Sequence, residues 1–294
     1  MKEKKEMTNW PDHKSGAFFF CFDVDADTIW NNKIAAYSNG ENFIRSRSVG
    51  LYGILRGVDE ILGLLDRYQI KASFFVPAVI VKNYPDKIKK IVGKGHEIAH
   101  HGYYHESDYG KTAEEQLKLL ADSQEVFQQV LGKAACGFRM TGSLLPETAE
   151  IFFQRDDVLY VSQQNGDPDI HFVKAGGKDT RVISIPCKIE IDDYVQSVFN
   201  LFPPVPKGLD RIAPYQDILQ NFKLMADATE KYHQAIASAF HPQISGCQGR
   251  LTVLEELMRY VTQDTNLWTG RCCDLAEWCR QQKEGEQQNE MERR

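Results

Sequence analysis

The 294 residues are 42% hydrophobic and 11% aromatic, enough apolar material for a full core in a single α/β unit of this length. A formal net charge of −6, from 35 basic and 41 acidic residues spread along the chain, argues against a polyanion-binding surface and so against nucleic acid as a partner. No stretch approaches the ~20 apolar residues that span a bilayer, and the N-terminal MKEKKEMTNWPDHK has no apolar run after its lysines, so neither a membrane segment nor a secretory leader is expected. The seven cysteines are an odd number with no Cys-x-x-Cys pair, which argues against a disulfide framework or zinc knuckle; a reducing cytoplasm is the simplest location, and a mature secreted chain without its signal is the competing reading.

In chain order, residues 17–22 (AFFFCF) form a continuous apolar run, the pattern of a strand buried on both faces, and end in Asp23-Val24-Asp25. Residues 53–68 carry Ile54, Val58, Ile61, Leu62 and Leu65 at helical spacing. Residues 71–76 (KASFFV) form a second strand stopped by Pro77, a helix follows from Pro85, and residues 96–100 (HEIAH) make a third, short strand. Residues 112–131 are the clearest helix, with Thr112 as cap, Glu114 and Glu115 in the first turn and Gly132 after the end. Residues 135–138 form a fourth strand. The middle segment, 158–206, holds short β pieces such as 182–186, while 235–240 is a late strand, and 251–261 and 275–282 are the last helices. Residues 285–294 (GEQQNEMERR) are polar and expected to fray. Alternating strands and helices predict a parallel sheet wrapped by helices, either open or closed as a barrel. With no repeat and no linker, the expected organisation is an extension at 1–15, one domain over 16–284 and a tail at 285–294.

The polar clusters directly follow strands, where sites of parallel α/β folds form. On extended backbone Asp23 and Asp25 point to the same side and repel unless a cation lies between them or one is protonated; a capping turn is the competing reading. His101 and His105 are four apart, a spacing that on a helical turn puts both imidazoles on one face, while His100 is displaced and reads as structural. Two histidines and a carboxylate make a three-ligand metal set with positions left for water and substrate, suited to zinc and also to iron, cobalt, nickel or manganese. His241, in Phe240-His241-Pro242, stands where it could protonate a leaving amine. Arg139 could pair with a catalytic aspartate and hold it ionised.

Together these clusters resemble the polysaccharide deacetylase (NodB-homology) superfamily over residues 18–278. The sharpest matches are Lys71-Ala72-Ser73-Phe74-Phe75-Val76-Pro77, Gly95-His96-Glu97-Ile98, and His101-Gly102-Tyr103-Tyr104-His105-Glu106. They are most similar to the intracellular branch of peptidoglycan-deacetylase-like proteins, cyclic imide hydrolases and allantoinases. The resemblance implies a distorted (β/α) barrel of about seven parallel strands, often in an oligomer. It also implies that Asp23 is the base, that Asp25, His101 and His105 hold the metal, that Arg139 tethers the base and that His241 is the acid. Trp30 and Tyr103 are candidates for stacking on substrate. Two departures stand out: Met140-Thr141 follows Arg139 where the family has Arg-x-Pro, and Val24 separates the aspartates of the first motif. Asp192-Asp193 is similar to a pair in the same branch, without an assigned role. The implied activity is metal-dependent hydrolysis of a non-peptide amide. In the absence of a leader the expected substrate is a small cyclic amide or imide; the alternatives are an N-acetylated sugar or peptidoglycan, and a non-catalytic binding protein on the same fold.

Overall fold

The apolar run at 17–22 is two strands rather than one. In the computed structural model, which describes residues 10–35, 37–39, 42–106, 110–164, 166–197 and 213–292, β1 (Gly16–Phe19) and β2 (Cys21–Asp23) belong to different sheets. Ser238 makes the break: its hydroxyl accepts the Cys21 N–H at 3.1 Å, and the Phe19 carbonyl accepts the Ser238 N–H at 3.0 Å. The chain therefore changes partners at Phe20 without leaving those backbone groups unpaired.

Beyond these lie β3 (Ser73–Val76), β4 (Glu97–His100), β5 (Gly137–Phe138), β6 (Tyr160–Gln164), β7 (His171–Ala175), β8 (Lys178–Cys187), β9 (Ala235–Ala237) and β10 (Leu267–Trp268). Seven strands form one sheet in the order β2-β3-β4-β5-β6-β8-β7, and three form a second in the order β10-β1-β9. Every pairing is parallel except β7 with β8, a hairpin over Gly176 and Gly177, whose φ of 55° and 73° match the left-handed tight turn such a hairpin requires. The expected seven-stranded, mostly parallel sheet is present, but its ladders do not close into a continuous barrel. Two single-residue parallel bridges, Asp192 with Ala239 and Phe240 with Phe22, span the remaining gap.

Side chains alternate across this sheet. Phe18, Phe20, Phe22, Phe74 and Phe240 pack with the helices Val58–Arg67 and Gln248–Gln263, while Phe19, Cys21, Phe75 and Tyr160 pack on the other side with Cys272 and Leu275. The helix Ala113–Leu131 starts with the expected cap as a full capping box, Thr112 Oγ1 accepting Glu115 N–H and Glu115 Oε2 accepting Thr112 N–H, and ends on Gly132 at φ 73°. The helix expected over 53–68 opens instead with a π-helical turn, Gly53–Gly57, preceded by a helix at Ile44–Tyr52. At the termini Trp10 stacks on Trp278 at 5.3 Å, and the last helix runs from Cys272 to Glu292, through residues expected to fray. Its Glu, Gln, Lys and Arg residues are good helix formers, so polarity alone did not end it. All seven cysteines are free, residues 198–206 of the middle segment lie outside the described residues, and among those described no helix is long and apolar enough to cross a membrane.

Gly50 lets the helix Ile44–Tyr52 close on the turn after β2: a Cβ there would lie 2.3 Å from the Ala26 carbonyl oxygen and 2.8 Å from the Trp30 ring. Gly50→Ala is expected to cost about 1–3 kcal/mol through overpacking. Thermal unfolding followed by circular dichroism would show it as a lowered midpoint, and an unchanged midpoint would refute the close fit.

Candidate metal centre and active site

Each chemical side chain sits at or just past a strand's carboxyl end and is fixed there by backbone hydrogen bonds. Val24 N–H bonds to Phe75 O at 2.8 Å, His101 N–H to Val76 O at 3.2 Å and Arg139 N–H to His100 O at 2.9 Å. The two bridges bring Asp192 and His241 to the same edge, since Asp193 N–H bonds to Ala239 O and Asp23 N–H to Phe240 O. A cavity of about 420 Å³ opens there, lined by Asp23, His101, His105, Arg139, Asp192 and His241 together with residues 140–143.

The two aspartates expected on one side do converge, but in opposite surroundings. Asp23 Oδ1 accepts a 2.6 Å hydrogen bond from Arg139 Nη1. Burial works against ionisation of Asp23, yet the charges of Arg139 and His241 and the Arg139 hydrogen bond outweigh it and hold the carboxyl below its ordinary value. Arg139 is fully engaged: Nε and Nη2 donate to Ser162 Oγ, Nη2 also donates to Ser238 O, and the guanidinium lies 4.1 Å from the Phe75 ring centroid.

Asp25 has no accessible surface, and neither carboxylate oxygen has a hydrogen-bond partner among the described residues. Burial pushes its carboxyl up. Around it stand His101 Nε2 at 3.5 Å and His105 Nε2 at 3.7 Å from Oδ1, and His241 Nε2 at 3.5 Å from Oδ2. His101 Nδ1 donates to Arg139 O at 2.7 Å, which fixes the proton on that nitrogen and leaves the Nε2 lone pair directed inward. Burial pushes His105 down to about 4, so its ring is neutral at pH 7. An unpartnered buried carboxylate facing two neutral imidazoles, with one donor atom from each within 4.8 Å of the others, fits a divalent cation.

The segment carrying both histidines is not a helical turn. Gly102 at φ 78° and His105 at φ 58° fold it into a tight loop, with the Glu106 carboxylate accepting the N–H of Tyr103 and of Tyr104, and Asn32 donating to the Tyr104 and His105 carbonyls. The rings still meet, 4.9 Å apart and nearly perpendicular. His100 points away, packed on Phe138 with its Nδ1 accepting Gly102 N–H.

His241 is held by a residue without a role in the sequence reading. Asp193 Oδ1 lies 2.7 Å from His241 Nδ1, both Asp193 oxygens accept the His241 backbone N–H, and Ser245 Oγ donates to Oδ2. Burial opposes protonation of His241, but the hydrogen bond to Asp193 and the charges of Asp193, Asp192 and Asp25 push it up to about 10. The adjacent Asp192-Asp193 pair was the available signal; a long-range contact with His241 has no local signature. Trp30 and Tyr103 do not line the cavity. Trp30 is 3% exposed beneath Gly50, and Tyr103 packs on the phenylalanine-rich core.

The chain matches the family model for polysaccharide deacetylase over residues 53–155. It is 24% identical over 272 residues to the peptidoglycan deacetylase of Helicobacter pylori, covering 82% of this chain and 88% of that one. A solved structure from Mycobacterium smegmatis, assigned to the polysaccharide deacetylases, is 28% identical with a TM-score of 0.82 over 93% of each chain. The PuuE allantoinase shares the fold at 20% identity, with a TM-score of 0.75 over 92% of this chain and 91% of its own.

Arg139→Met leaves the Asp23 carboxylate buried without its counter-charge and is expected to lower the unfolding free energy by about 3–5 kcal/mol. Urea titration at pH 7 measures this, and stability equal to wild type would show that Asp23 does not depend on the pair.

Proposed function

We propose that the chain, which is similar to the polysaccharide deacetylases, is a divalent-metal-dependent hydrolase that removes the acetyl group from an N-acetylated sugar of the peptidoglycan kind. The observation that carries the reading is Asp25, buried and unpartnered between His101 and His105, beside an aspartate held ionised by Arg139. The small cyclic amide expected from the sequence is less well supported. The Helicobacter pylori relative favours the sugar amide, and the likeness to the allantoinase is one of fold.

In this reading Asp25, His101 and His105 hold the ion, with zinc the first candidate and iron, cobalt, nickel or manganese compatible with the same donors. Such an ion supplies a Lewis acid that polarises the amide carbonyl and makes water a better nucleophile at neutral pH. Asp23 Oδ2 is the oxygen not tied to Arg139 Nη1. It lies 3.9 Å from His101 Nε2 and 4.0 Å from His241 Nε2, placed to accept the proton of the attacking water. As the carbon–nitrogen bond breaks, His241 Nε2 gives its proton to the departing nitrogen, and Asp193 on Nδ1 stabilises the charged ring beforehand. Water is consumed, and acetate and a sugar amine are released. A protein that only bound its ligand would have no use for an ionised base beside a metal or for a carboxylate-held imidazole.

Wild-type protein loaded with zinc is expected to hold one ion per chain and Asp25→Ala close to none, read by elemental analysis after desalting. N-Acetylglucosamine oligomers are expected to release acetate while succinimide, hydantoin and allantoin stay intact; ring opening without acetate release would reverse the substrate assignment. Asp23→Asn should keep the ion and lower kcat by about 10²–10⁴-fold, so an active Asp23→Asn enzyme would remove the base.

A further inference from the structure

We propose that Asn32 is a positioning residue for the metal centre, its side-chain amide holding the backbone of the His105 loop so that the His105 ring stays turned to Asp25. The inference rests on the metal reading of the preceding subsection. Asn32 Nδ2 donates to the Tyr104 carbonyl at 2.8 Å and to the His105 carbonyl at 2.9 Å, one hydrogen to each. His105 has a φ of 58°, a conformation uncommon for a residue with a Cβ and kept only where the surroundings fix it. The Glu106 carboxylate holds the loop from within by accepting the Tyr103 and Tyr104 N–H groups. Asn32 holds it from outside, reaching His105 from 73 positions earlier in the chain.

Asn32 can act as a fixed point because the helix that carries it, Thr28–Ile34, is anchored to the Asp25 segment. At its start Thr28 gives its N–H, at 3.0 Å, and its hydroxyl, at 2.7 Å, to the Asp25 carbonyl. Asn31 Nδ2 and Arg47 Nη2 both donate to Asp27 Oδ2, at 3.0 and 3.2 Å, and tie the same turn to the helix Ile44–Tyr52. Trp30, buried under Gly50, fixes the middle of the helix. Thr28 and Asn32 are four apart and so share one helix face, the first bonded to the backbone of Asp25 and the second to that of His105. A single helical turn thereby spans two of the three ligand-bearing segments, where His105 Nε2 stands 3.7 Å from Asp25 Oδ1. His101 is braced differently, through its ring, by Nδ1 on the Arg139 carbonyl.

Asn32 is itself exposed, so truncating it opens no cavity in the core. The test compares zinc affinity, by chelator competition, for wild type, Asn32→Ala and Asn32→Asp, at a temperature where circular dichroism shows each protein folded. Asn32→Asp keeps the shape of the side chain and replaces its donor with an acceptor. Zinc affinity is expected to fall by about 10–100-fold in both variants. In the metal-free proteins, amide hydrogen exchange is expected to quicken over residues 102–106 while β2, β3 and β4 keep the wild-type rate. Zinc held as tightly by either variant as by wild type overturns the role of Asn32. So does a loss of affinity accompanied by faster exchange through those three strands, which marks a general loosening of the fold. Wild-type protein that takes up no zinc removes the metal centre itself and this inference with it, before any variant is compared.

Discussion

A carboxylate taken fully out of water and given no hydrogen-bond donor is among the least favourable groups a fold can contain. Asp25 is in that position, and the rest of the site is arranged around it. Three imidazole nitrogens surround it at 3.5 to 3.7 Å, where a solvating network would otherwise stand. Two residues earlier Asp23 receives the opposite treatment, a guanidinium at 2.6 Å. Environments that push two nearby carboxyls in opposite directions are how one site divides its acid–base work. The tethered aspartate is kept ionised; the bare one faces the histidine nitrogens with no hydrogen-bond donor of its own, an arrangement that a cation would complete.

Arg139 links this division of labour to the closure of the sheet. It starts from the end of β5, reaches Asp23 at the end of β2, Ser162 on β6 and the Ser238 carbonyl after β9, and lies across the Phe75 ring. Elements far apart in sequence are thereby gathered at one edge, where the backbone ladders themselves leave a gap. The single-residue bridges at Asp192 and Phe240 complete the circuit and set Asp193 against His241. Charge pairing and backbone pairing thus act at the same place, and the site lies where the sheet is least regular.

Much of this was legible in sequence because it is local. Polar clusters after apolar runs mark strand ends, and the capping box and the Gly132 stop write out a helix directly. What failed needed distant information. The AFFFCF run reads as one strand because Ser238, which splits it, is over two hundred positions away. The His-x-x-x-His spacing suggested a helical turn, whereas the loop geometry depends on Gly102 and on the Glu106 carboxylate, and the two rings meet by another route. Trp30 and Tyr103 were read as ligand platforms from their nearness in sequence, but aromatic side chains close to a site are as readily used for packing. Asp193 acts through contacts with His241 that no spacing rule encodes. The Gly176-Gly177 pair did carry a hairpin signal that a parallel-sheet expectation passed over.

The departure after Arg139 shows how a local rule can be met by other means. Where the related pattern places a proline, this chain has Thr141, so the stiffness that a fixed φ would confer is absent. Hydrogen bonds take its place. Thr141 Oγ1 donates to the Glu106 carbonyl and ties the segment to the loop of His101 and His105, and Gln116 donates to Ser143 O while accepting Leu145 N–H. Residues 140–143 line the cavity, so the wall beside Asp23 is tied to the same Glu106 segment that folds the histidine loop. A proline would hold that wall independently of the loop of His101 and His105. With Thr141 the wall and the histidine loop form one hydrogen-bonded unit.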